Sequence, residues 1–431
     1  MLNILAKKKS TNWLKLDNAA KIFPPTSGKK DTKVFRFACE LFEPVKKEIL
    51  ELALEKTLKF FPVYRSVLKR GMFWYYLENT SIEPKVREEN APPCGILYDK
   101  NVKSLLFEVT YYNKRINLEV YHAITDGTGA IEFLRELVCR YLAISHADEI
   151  GEYHNVSAFS ASLSEKMADS FQKYYDASNT KAKKSPRAYK VKLPKIPENR
   201  IKIIEGLMPV DKLLEIAREK KTTITILLVS ILLMSIHEGM SLKDKKKPVN
   251  ISVPANLRKY FASESVRNFF VVTSVSYDFL NNSAKLDDII PFVADKFKEN
   301  LTQENLACKM NSLISIEKNF AARAVPLALK NLFMRAAYEL AALNETGALS
   351  NLGNISVPQE YEKYIRLFDV FSSSRRPQTC ICSYKNNMIV TFSDPFVSSD
   401  IQKKFFRTLA EMGIPIEITS NPMENRGEWE R

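Results

Sequence analysis

Apolar and polar residues recur with two periods along the chain, and these periods predict alternating strands and helices. Residues 33–42 are typical of a strand. A helix is predicted to begin at Glu43-Pro44, because a proline in the first turn of a helix needs no amide donor. Residues 61–78 indicate a pair of strands around Arg70-Gly71. The predicted buried face of the helix comprises Val45, Ile49, Leu52 and Ala53.

Residues 104–122 alternate between apolar and polar positions and predict two strands joined by a turn at Asn113-Lys114. The alternation of the second strand continues to His122, which is therefore expected at a strand end, on the apolar side. The segment "DGTGA" at 126–130 then turns the chain. A helix is predicted after it, with an apolar stripe of Ile131, Leu134, Leu137, Val138, Tyr141 and Leu142.

The second part of the chain repeats this alternation, after a polar, lysine-rich segment with three prolines at 176–200. We therefore predict two α/β halves, at 1–180 and 201–431, joined by a linker at 181–200. Strands are expected at 200–208, 249–254, 268–279, 349–357, 366–372, 378–384 and 388–393. Helices are expected at 210–220, 223–237 (ending at Gly239), 286–300, 324–343 and 399–412.

Composition favours a soluble, cytoplasmic protein with packed cores. Hydrophobic residues make up 45% of the chain, and the most apolar stretch, 224–236, is shorter than the roughly 20 residues of a membrane span. The first residues carry too short an apolar run for a signal peptide. The six cysteines are scattered and are expected to be free thiols in a reducing compartment.

The net charge of +14 makes the chain clearly basic, with clusters at 7–9, 181–187 and 243–248. Each cluster is compatible with a solvated loop. A second interpretation is attraction for an anionic substrate or an anionic bilayer surface. Nucleic acid is not an expected partner, because no recognisable nucleic-acid module accompanies the charge.

His122 is one of only four histidines, and it opens the short pattern H-x-x-x-D-G with Asp126 and Gly127. A core histidine held by a backbone group is the simplest interpretation. The alternative is a general base, because imidazole titrates near neutral pH and small residues such as Gly129 leave room for a substrate.

Several other chemistries lack their sequence patterns. The chain contains no G-x-S-x-G nucleophile elbow, no dinucleotide fingerprint, no Walker A sequence and no H-E-x-x-H pattern. We therefore expect no metal and no resident cofactor. A base that works without a protein nucleophile or a metal suits one reaction type, in which a second substrate is deprotonated and attacks an activated acyl group.

The segment "YHAITDG" at 121–127 resembles the HHxxxDG signature of the superfamily of CoA-dependent acyltransferases and condensation domains. Three further segments agree in order and spacing: "FPVYRSVL" at 61–68, "VPANLRKYF" with "VRNFF" within 253–270, and "ALSNLGNI" at 348–355. The resemblance spans nearly the whole chain. It is nearest to bacterial and fungal alcohol O-acyltransferases, including the alcohol O-acetyltransferases, and to polyketide-associated acyltransferases.

The resemblance implies two chloramphenicol-acetyltransferase-like α/β halves, with mixed sheets flanked by helices, in a V around a central tunnel. His122 would be the general base, and the acceptor would attack the thioester directly, without an acyl-enzyme. Asp126 and Gly127 would complete the catalytic motif, with Asp126 holding the loop through an ion pair to Arg258. Tyr121 replaces the first histidine of the signature and is expected on the other side of the sheet. The plant-type D-F-G-W-G element is absent.

Candidates for contact with the substrate or its oxyanion are Ser350 and Asn351, together with Tyr121. An equally plausible interpretation of "SNLG" at 350–353 is a turn at a strand end.

The leading hypothesis is an acyltransferase that moves an acyl group from CoA to an alcohol or amine. An acyl carrier protein is the alternative donor, since its acidic surface would also suit a basic protein. The rival hypothesis is a non-catalytic module that binds a lipid or a carrier protein on the same fold. A third idea, weak contact with anionic membranes, is compatible with the first. A monomer is expected, because two fused halves would build the site that trimeric relatives form between subunits.

Overall fold

The computed structural model describes residues 13–151, 153–154, 156, 162–180 and 186–421, and it has the predicted mixed α/β fold. Within these residues the helices are α1 Phe23–Thr26, α2 Lys47–Leu58, α3 Gly127–Ser145, α4 Ala147–Ile150, α5 Leu163–Lys166, α6 Ser170–Lys173, α7 Val210–Glu219, α8 Ile224–Glu238, α9 Leu286–Asn300, α10 Gln303–Lys318, α11 Phe320–Ala324, α12 Leu327–Ala342 and α13 Asp400–Glu411.

The strands of the same residues form three mixed or antiparallel sheets. They are β1 Trp13–Lys15, β2 Val34–Leu41, β3 Ser66–Arg70, β4 Tyr75–Asn79, β5 Val86–Glu88, β6 Phe107–Tyr112, β7 Arg115–Tyr121, β8 Lys202–Pro209, β9 Val249–Asn256, β10 Phe270–Tyr277, β11 Gly347–Asn354, β12 Ile365–Ser372, β13 Gln378–Tyr384, β14 Asn387–Asp394 and β15 Glu417–Ser420.

The sheet that carries the histidine motif has the order β12-β2-β7-β6-β5 in the described residues. All its neighbours are antiparallel except β5 and β6. Helices α2 and α3 pack together beside it, and α3 buries nearly all of its apolar residues. Strand β12 comes from the predicted C-terminal half, yet it pairs along its length with β2. The predicted C-terminal half therefore contributes one strand, β12, to the sheet of the N-terminal half.

The larger sheet has the order β10-β9-β11-β13-β14-β8-β15 in the described residues, and β11 is parallel to both of its neighbours. Helix α8 packs on it and is buried over most of its length, with α7, α9 and α13 beside it. The predicted core helix at 223–237 is thus confirmed. Among the described helices, none alone is long and apolar enough to cross a bilayer, and α7 with α8 meets that test only as a pair bent by 82°.

A partly buried ionic cluster joins the two sheets. Arg115 on β7 donates from both guanidinium ends to Glu205 on β8, at 3.0 and 2.9 Å, and its Nε donates to Glu40 at 2.8 Å. Asp369 on β12 lies fully buried in this cluster and accepts a hydrogen bond from Thr391 on β14. Burial and the neighbouring Glu205 raise the pKa of Asp369 to about 8, so this carboxyl carries a proton at neutral pH.

The first helix differs from its prediction in its start and in its buried face. It begins at Lys47 rather than at Pro44, because the preceding residues are held in an extended path by the bond from Val45 N to Asn113 O. Leu52 is exposed. The buried apolar face comprises Leu50, Ala53, Leu54 and Leu58.

Several described elements were not predicted. They include the long helix α10 and the short edge strands β1, β5 and β15. The buried residues of α10 are Leu306, Met310, Asn311 and Ile314, so its apolar stripe is narrow.

The described part of the predicted linker follows the C-terminal half. Backbone hydrogen bonds join Ala188 N to Leu343 O, Tyr189 N to Pro248 O and Ile196 N to Pro395 O. Residues 181–185 of the linker, and the lysines at 7–9, lie outside the described residues. All six cysteines are free, as predicted.

Candidate active site

His122 directly follows β7, at the strand end where the alternation predicts it. Its backbone N–H donates to Lys33 O at 2.9 Å, which ties this end of β7 to the residue that precedes β2. Phe23 stacks on the imidazole with ring centroids 4.4 Å apart, and Phe35 meets it edge-on at 4.9 Å. Phe270 lies at 5.5 Å on a strand of the larger sheet. Aromatic rings from both sheets therefore hold the imidazole in a fixed orientation.

The side chain of Asn268 determines which nitrogen of His122 carries the proton. The amide nitrogen of Asn268 faces two acceptors, His122 O at 3.1 Å and Asp17 Oδ2 at 3.2 Å, so it is the donor end. The amide oxygen then faces His122 Nδ1 at 3.1 Å and accepts its N–H. Nε2 is left with its lone pair, and no described residue forms a hydrogen bond to it. This tautomer is the one that a base acting through Nε2 requires.

Burial lowers the pKa of His122 below its ordinary value of 6.5, although Asp126 and the Asn268 hydrogen bond oppose the shift. The imidazole is therefore neutral at physiological pH. A neutral imidazole is ready to accept a proton.

Asp126 points away from the imidazole and binds the surrounding backbone. It caps α3, since its Oδ1 accepts from Gly129 N at 3.1 Å. Its Oδ2 accepts from Arg258 Nη1 at 2.7 Å and from Phe269 N at 2.8 Å. The ion pair predicted between Asp126 and Arg258 is thus present, and both side chains are buried. Asp126 fixes the loop after His122 against the segment that carries Asn268.

The two glycines of the motif are sites of close packing. A Cβ on Gly127 would lie 2.7 Å from the end of the Leu352 side chain. A Cβ on Gly129 would lie 2.0 Å from Val266 O and 2.2 Å from Thr125 Oγ1. The expectation that Gly129 leaves room for a substrate is therefore wrong, because the backbone at Val266 fills that space. Gly129 is instead required for the contact between α3 and the loop before β10.

Tyr121 lies on the opposite side of β7 from His122, as expected from strand alternation. It is fully buried, stacks on Tyr98 and shares a 2.8 Å hydrogen bond with Ser27 Oγ. Burial raises the pKa of its hydroxyl well above the usual value, so the hydroxyl stays protonated.

The structure separates the two candidates on β11. Asn351 faces α8, where its Nδ2 donates to Thr225 Oγ1 at 2.7 Å and its Oδ1 accepts from Gly353 N at 2.8 Å. Ser350 pairs with Cys380 and points to the other face of the strand, toward the core of the histidine half. Leu352, two residues on, packs against Gly127. The Asn351 amide is therefore already engaged, whereas Ser350 lies on the face of β11 that turns toward the histidine half.

A cavity of about 600 Å³ opens on the Tyr121 side of β7. Ser27 and Tyr98, the two partners of Tyr121, line it, and so does Pro24, which follows the Phe23 that stacks on His122. His122 itself is not part of its wall. Charged side chains also line the cavity. Asp99 is the one carboxylate among the described lining residues, and the cations are Lys29, Arg70, Lys100 and Arg335.

Sequence reasoning missed the residues that orient His122. Asn268 lies within the segment "VRNFF", which signals the resemblance, but no pattern in one sequence connects it to a histidine 146 positions away. Asp17 and Phe23 belong to a stretch without a recognisable motif. Within the described residues, no three or more His, Cys, Asp or Glu side chains group as metal ligands would, and the metal-free expectation stays a prediction.

Structural comparison shows what this chain is similar to. The TRI3 trichothecene 15-O-acetyltransferase from Fusarium sporotrichioides has 11% identity and a TM-score of 0.59 over 93% of this chain and 94% of that chain. The first condensation domain of the calcium-dependent antibiotic synthetase, bound to a substrate analogue, has 12% identity and a TM-score of 0.61 over 93% and 96%. F. sporotrichioides TRI101 complexed with coenzyme A and T-2 has 11% identity and a TM-score of 0.61 over 94% and 100%.

No protein family's sequence profile and no curated protein sequence matches the chain. The shared architecture covers nearly all of each molecule, so the chain has the chloramphenicol-acetyltransferase-like fold that these acetyltransferases and condensation domains share.

Proposed function

We propose that this protein is an acyltransferase that moves an acyl group from a thioester to a hydroxyl or amine acceptor. The observation that carries the proposal is the state of His122. Asn268 holds its Nδ1 proton, burial keeps the imidazole neutral, and no described residue forms a hydrogen bond to Nε2. The fold supports the same reaction class, because similar architectures occur in an acetyltransferase and in condensation domains.

In the proposed reaction, the acceptor hydroxyl donates its proton to Nε2 of His122 while its oxygen attacks the thioester carbonyl carbon. A new carbon–oxygen bond forms and gives a tetrahedral oxyanion. The carbon–sulfur bond then breaks, and the imidazolium returns its proton to the leaving thiolate. Asp126 and Arg258 take no part in this transfer and act as positioning residues. They fix the loop that follows His122.

The oxyanion needs a hydrogen-bond donor, and Ser350 is the candidate that the geometry favours. Its hydroxyl has no hydrogen bond to another described residue, and it lies on the face of β11 that turns toward the histidine half. Asn351 is a weaker candidate because Thr225 and Gly353 engage its amide.

For the donor we propose a CoA thioester. The net charge of +14 suits a ligand that carries several phosphates. TRI101, one of the solved structures with this architecture, is complexed with coenzyme A. An acyl carrier protein is the second donor with the same thioester chemistry. We expect no resident cofactor, a monomer and a cytoplasmic location.

Thiol release on incubation with acyl-CoAs and a panel of alcohols and amines tests the proposal. We expect acceptor-dependent release, with His122→Ala reducing kcat by about 10²- to 10⁴-fold. His154→Ala is the matched control, since His154 is exposed on the surface. The same assay with acyl carrier protein thioesters distinguishes the two donors.

A different result would point to the non-catalytic hypothesis. The aromatic packing around His122 would also suit a core histidine that only supports a binding site. If neither donor class releases its thiol with any acceptor, while acyl-CoA binds wild type and His122→Ala equally, the acyltransferase assignment is wrong. The protein would then be a binding module on the same fold.

A further inference from the structure

We propose that the outer face of α12 is a docking surface for an anionic lipid bilayer, independent of the chemistry at His122. The observation behind this proposal is that α12 is amphipathic in the reverse sense of an ordinary surface helix. Lys330 is buried and Asn331 and Tyr338 are partly buried against the protein, whereas Leu329, Leu332, Phe333 and Leu340 are exposed to solvent.

The inward side of α12 is held by polar contacts with the histidine half. The buried Lys330 donates from Nζ to Phe73 O at 3.1 Å and lies over the Trp74 ring. Asn331 donates to the Tyr75 hydroxyl at 2.9 Å. Arg335 donates from Nε to Pro25 O, and Tyr338 accepts from Lys33 Nζ. These contacts fix the rotation of the helix about its axis.

That rotation exposes an apolar stripe with helical spacing. We name it the α12 stripe, and it comprises Leu329, Leu332, Phe333, Ala336 and Leu340. Leu332 is 63% exposed, Phe333 65% and Leu340 64%. Two further apolar side chains near the first turn of α12 are exposed. Phe320 lies in α11, just before α12, and the backbone oxygen of Met72 accepts a hydrogen bond from Leu327 N. A soluble protein rarely leaves so continuous an apolar face in water unless that face binds something apolar.

Basic side chains border the α12 stripe. The cavity that Leu332 helps to line also contains Lys29, Arg70, Lys100 and Arg335, and all four cations are exposed. None of the four forms an ion pair with a described carboxylate, and Asp99 is the acidic residue of the same cavity. An apolar helix face beside unpaired cations is the arrangement that binds anionic bilayers: the apolar side chains enter the interface and the cations meet the headgroups.

The cations favour a bilayer over a second copy of this chain. A symmetric dimer formed through the α12 stripe would bring the four cations of one copy near those of the other, which is unfavourable. An anionic lipid surface satisfies both the apolar and the basic groups at once. It would also place the cavity beside Tyr121 against the headgroup layer.

Vesicle flotation of the full chain tests this proposal. The probes are vesicles of phosphatidylcholine alone and of phosphatidylcholine mixed with phosphatidylserine, at low and high salt. We expect about tenfold or stronger partitioning onto the serine-containing vesicles, and weaker partitioning at high salt. The double variant Leu332→Asp/Phe333→Asp should lose at least about tenfold in binding, with unchanged thermal unfolding, because both side chains are exposed.

Two controls separate this proposal from its rivals. Leu242→Asp changes an 86% exposed leucine beside the basic cluster at 243–248, and it should leave vesicle binding unchanged. His122→Ala should bind vesicles like wild type, so failure of the proposed chemistry does not affect this test.

Three results would overturn the proposal. The first is absence of binding to either vesicle type, and the second is equal binding by wild type and the double variant. The third is a dimer, measured by light scattering, that the double variant dissociates. That result would assign the α12 stripe to contact between two copies of the chain.

Discussion

At the scale of single residues, the state of His122 determines how activity should depend on pH. Burial lowers its pKa below the ordinary 6.5, so the neutral base persists into mildly acidic solution. We expect kcat/KM to rise with pH through a midpoint below 6.5 and to level off above it. Initial rates across the acidic range measure this midpoint. A midpoint at or above 6.5 would contradict the environment described for the imidazole.

Asn268 provides a second readout of the same pH dependence. Its hydrogen bond to Nδ1 opposes the lowering of the His122 pKa and selects the tautomer. Asn268→Ala should therefore shift the kcat/KM midpoint further down and reduce kcat by roughly 10- to 100-fold. Asn387→Ala removes a comparable hydrogen bond, to Arg366 O, and should leave the midpoint in place. Equal midpoints in both variants would show that Asn268 acts only through stability.

Gly129 makes a prediction about stability. A Cβ there would lie 2.0 Å from a backbone oxygen that cannot move independently. We expect Gly129→Ala to lower the free energy of unfolding by at least about 1–3 kcal/mol, as overpacked cores do. Gly95→Ala is the matched control, since its Cβ would meet no heavy atom within 4 Å, and it should stay within about 0.5 kcal/mol of wild type. Urea unfolding measures both, and equal effects would contradict the packing.

Part of the site could be predicted from local sequence, because some of its residues are close together along the chain. His122, Asp126 and Gly127 lie within one strand end and one turn, so a short pattern shows them together. Arg258 was found only through the resemblance to a known superfamily. Asn268 bonds to His122 across 146 positions of the chain, and Asp17 bonds to Asn268 across 251 positions. A single sequence contains no signal for such contacts.

At the scale of elements, Asp126 connects the start of α3 to the segment before β10. Its carboxylate accepts hydrogen bonds from Gly129 N, Phe269 N and the Arg258 guanidinium. Asp126→Asn should lower the free energy of unfolding by about 3–5 kcal/mol, because Arg258 would be left buried without a counter-charge. Chemical denaturation of this variant, of Arg258→Gln and of the double variant measures the coupling. If the two single losses simply add in the double variant, the ion pair does not couple the two segments.

Helices and strands were predictable where the spacing of their apolar residues was regular and the apolar face was the buried one. The alternation along β7 and the apolar stripe of α3 gave correct elements within a few residues. The start of α2 was wrong because tertiary hydrogen bonds hold the preceding residues extended. Helix α12 was predicted as a helix, but its orientation depends on polar contacts with 24–33 and 72–75 that the pattern does not contain.

At the scale of the whole molecule, the carboxyl of Asp369 should make stability depend on pH. Its pKa is about 8 in the folded protein, against roughly 3.9 for an unfolded aspartate, so between these values the folded state holds the additional proton. Its contribution to stability is therefore present below about pH 4 and is lost as the pH rises through about 8.

Asp369→Asn tests this dependence, because the amide keeps an acceptor for Thr391 and a donor toward Glu205 without titrating. Urea midpoints of wild type and variant should diverge with rising pH, the variant becoming relatively more stable. Parallel curves across this range would show that Asp369 is ionised in the folded protein, contrary to its surroundings.

The mixed α/β class was predictable because strands and helices alternate along most of the chain, and the resemblance added the two-sheet arrangement. The position of β12 was not predictable, since its alternation shows a strand but not which sheet receives it. One strand of the predicted C-terminal half therefore lies in the sheet of the predicted N-terminal half.

The pairing of β12 with β2 has a consequence for biosynthesis. When the first 200 residues leave the ribosome, β2 has its partner β7 on one side and an open edge on the other, where β12 will pair only after about 165 more residues are made. That edge is a template for unwanted pairing between nascent chains. Synthesis of β12, and not of the preceding N-terminal half, is then the step that commits the histidine-bearing sheet to its native form.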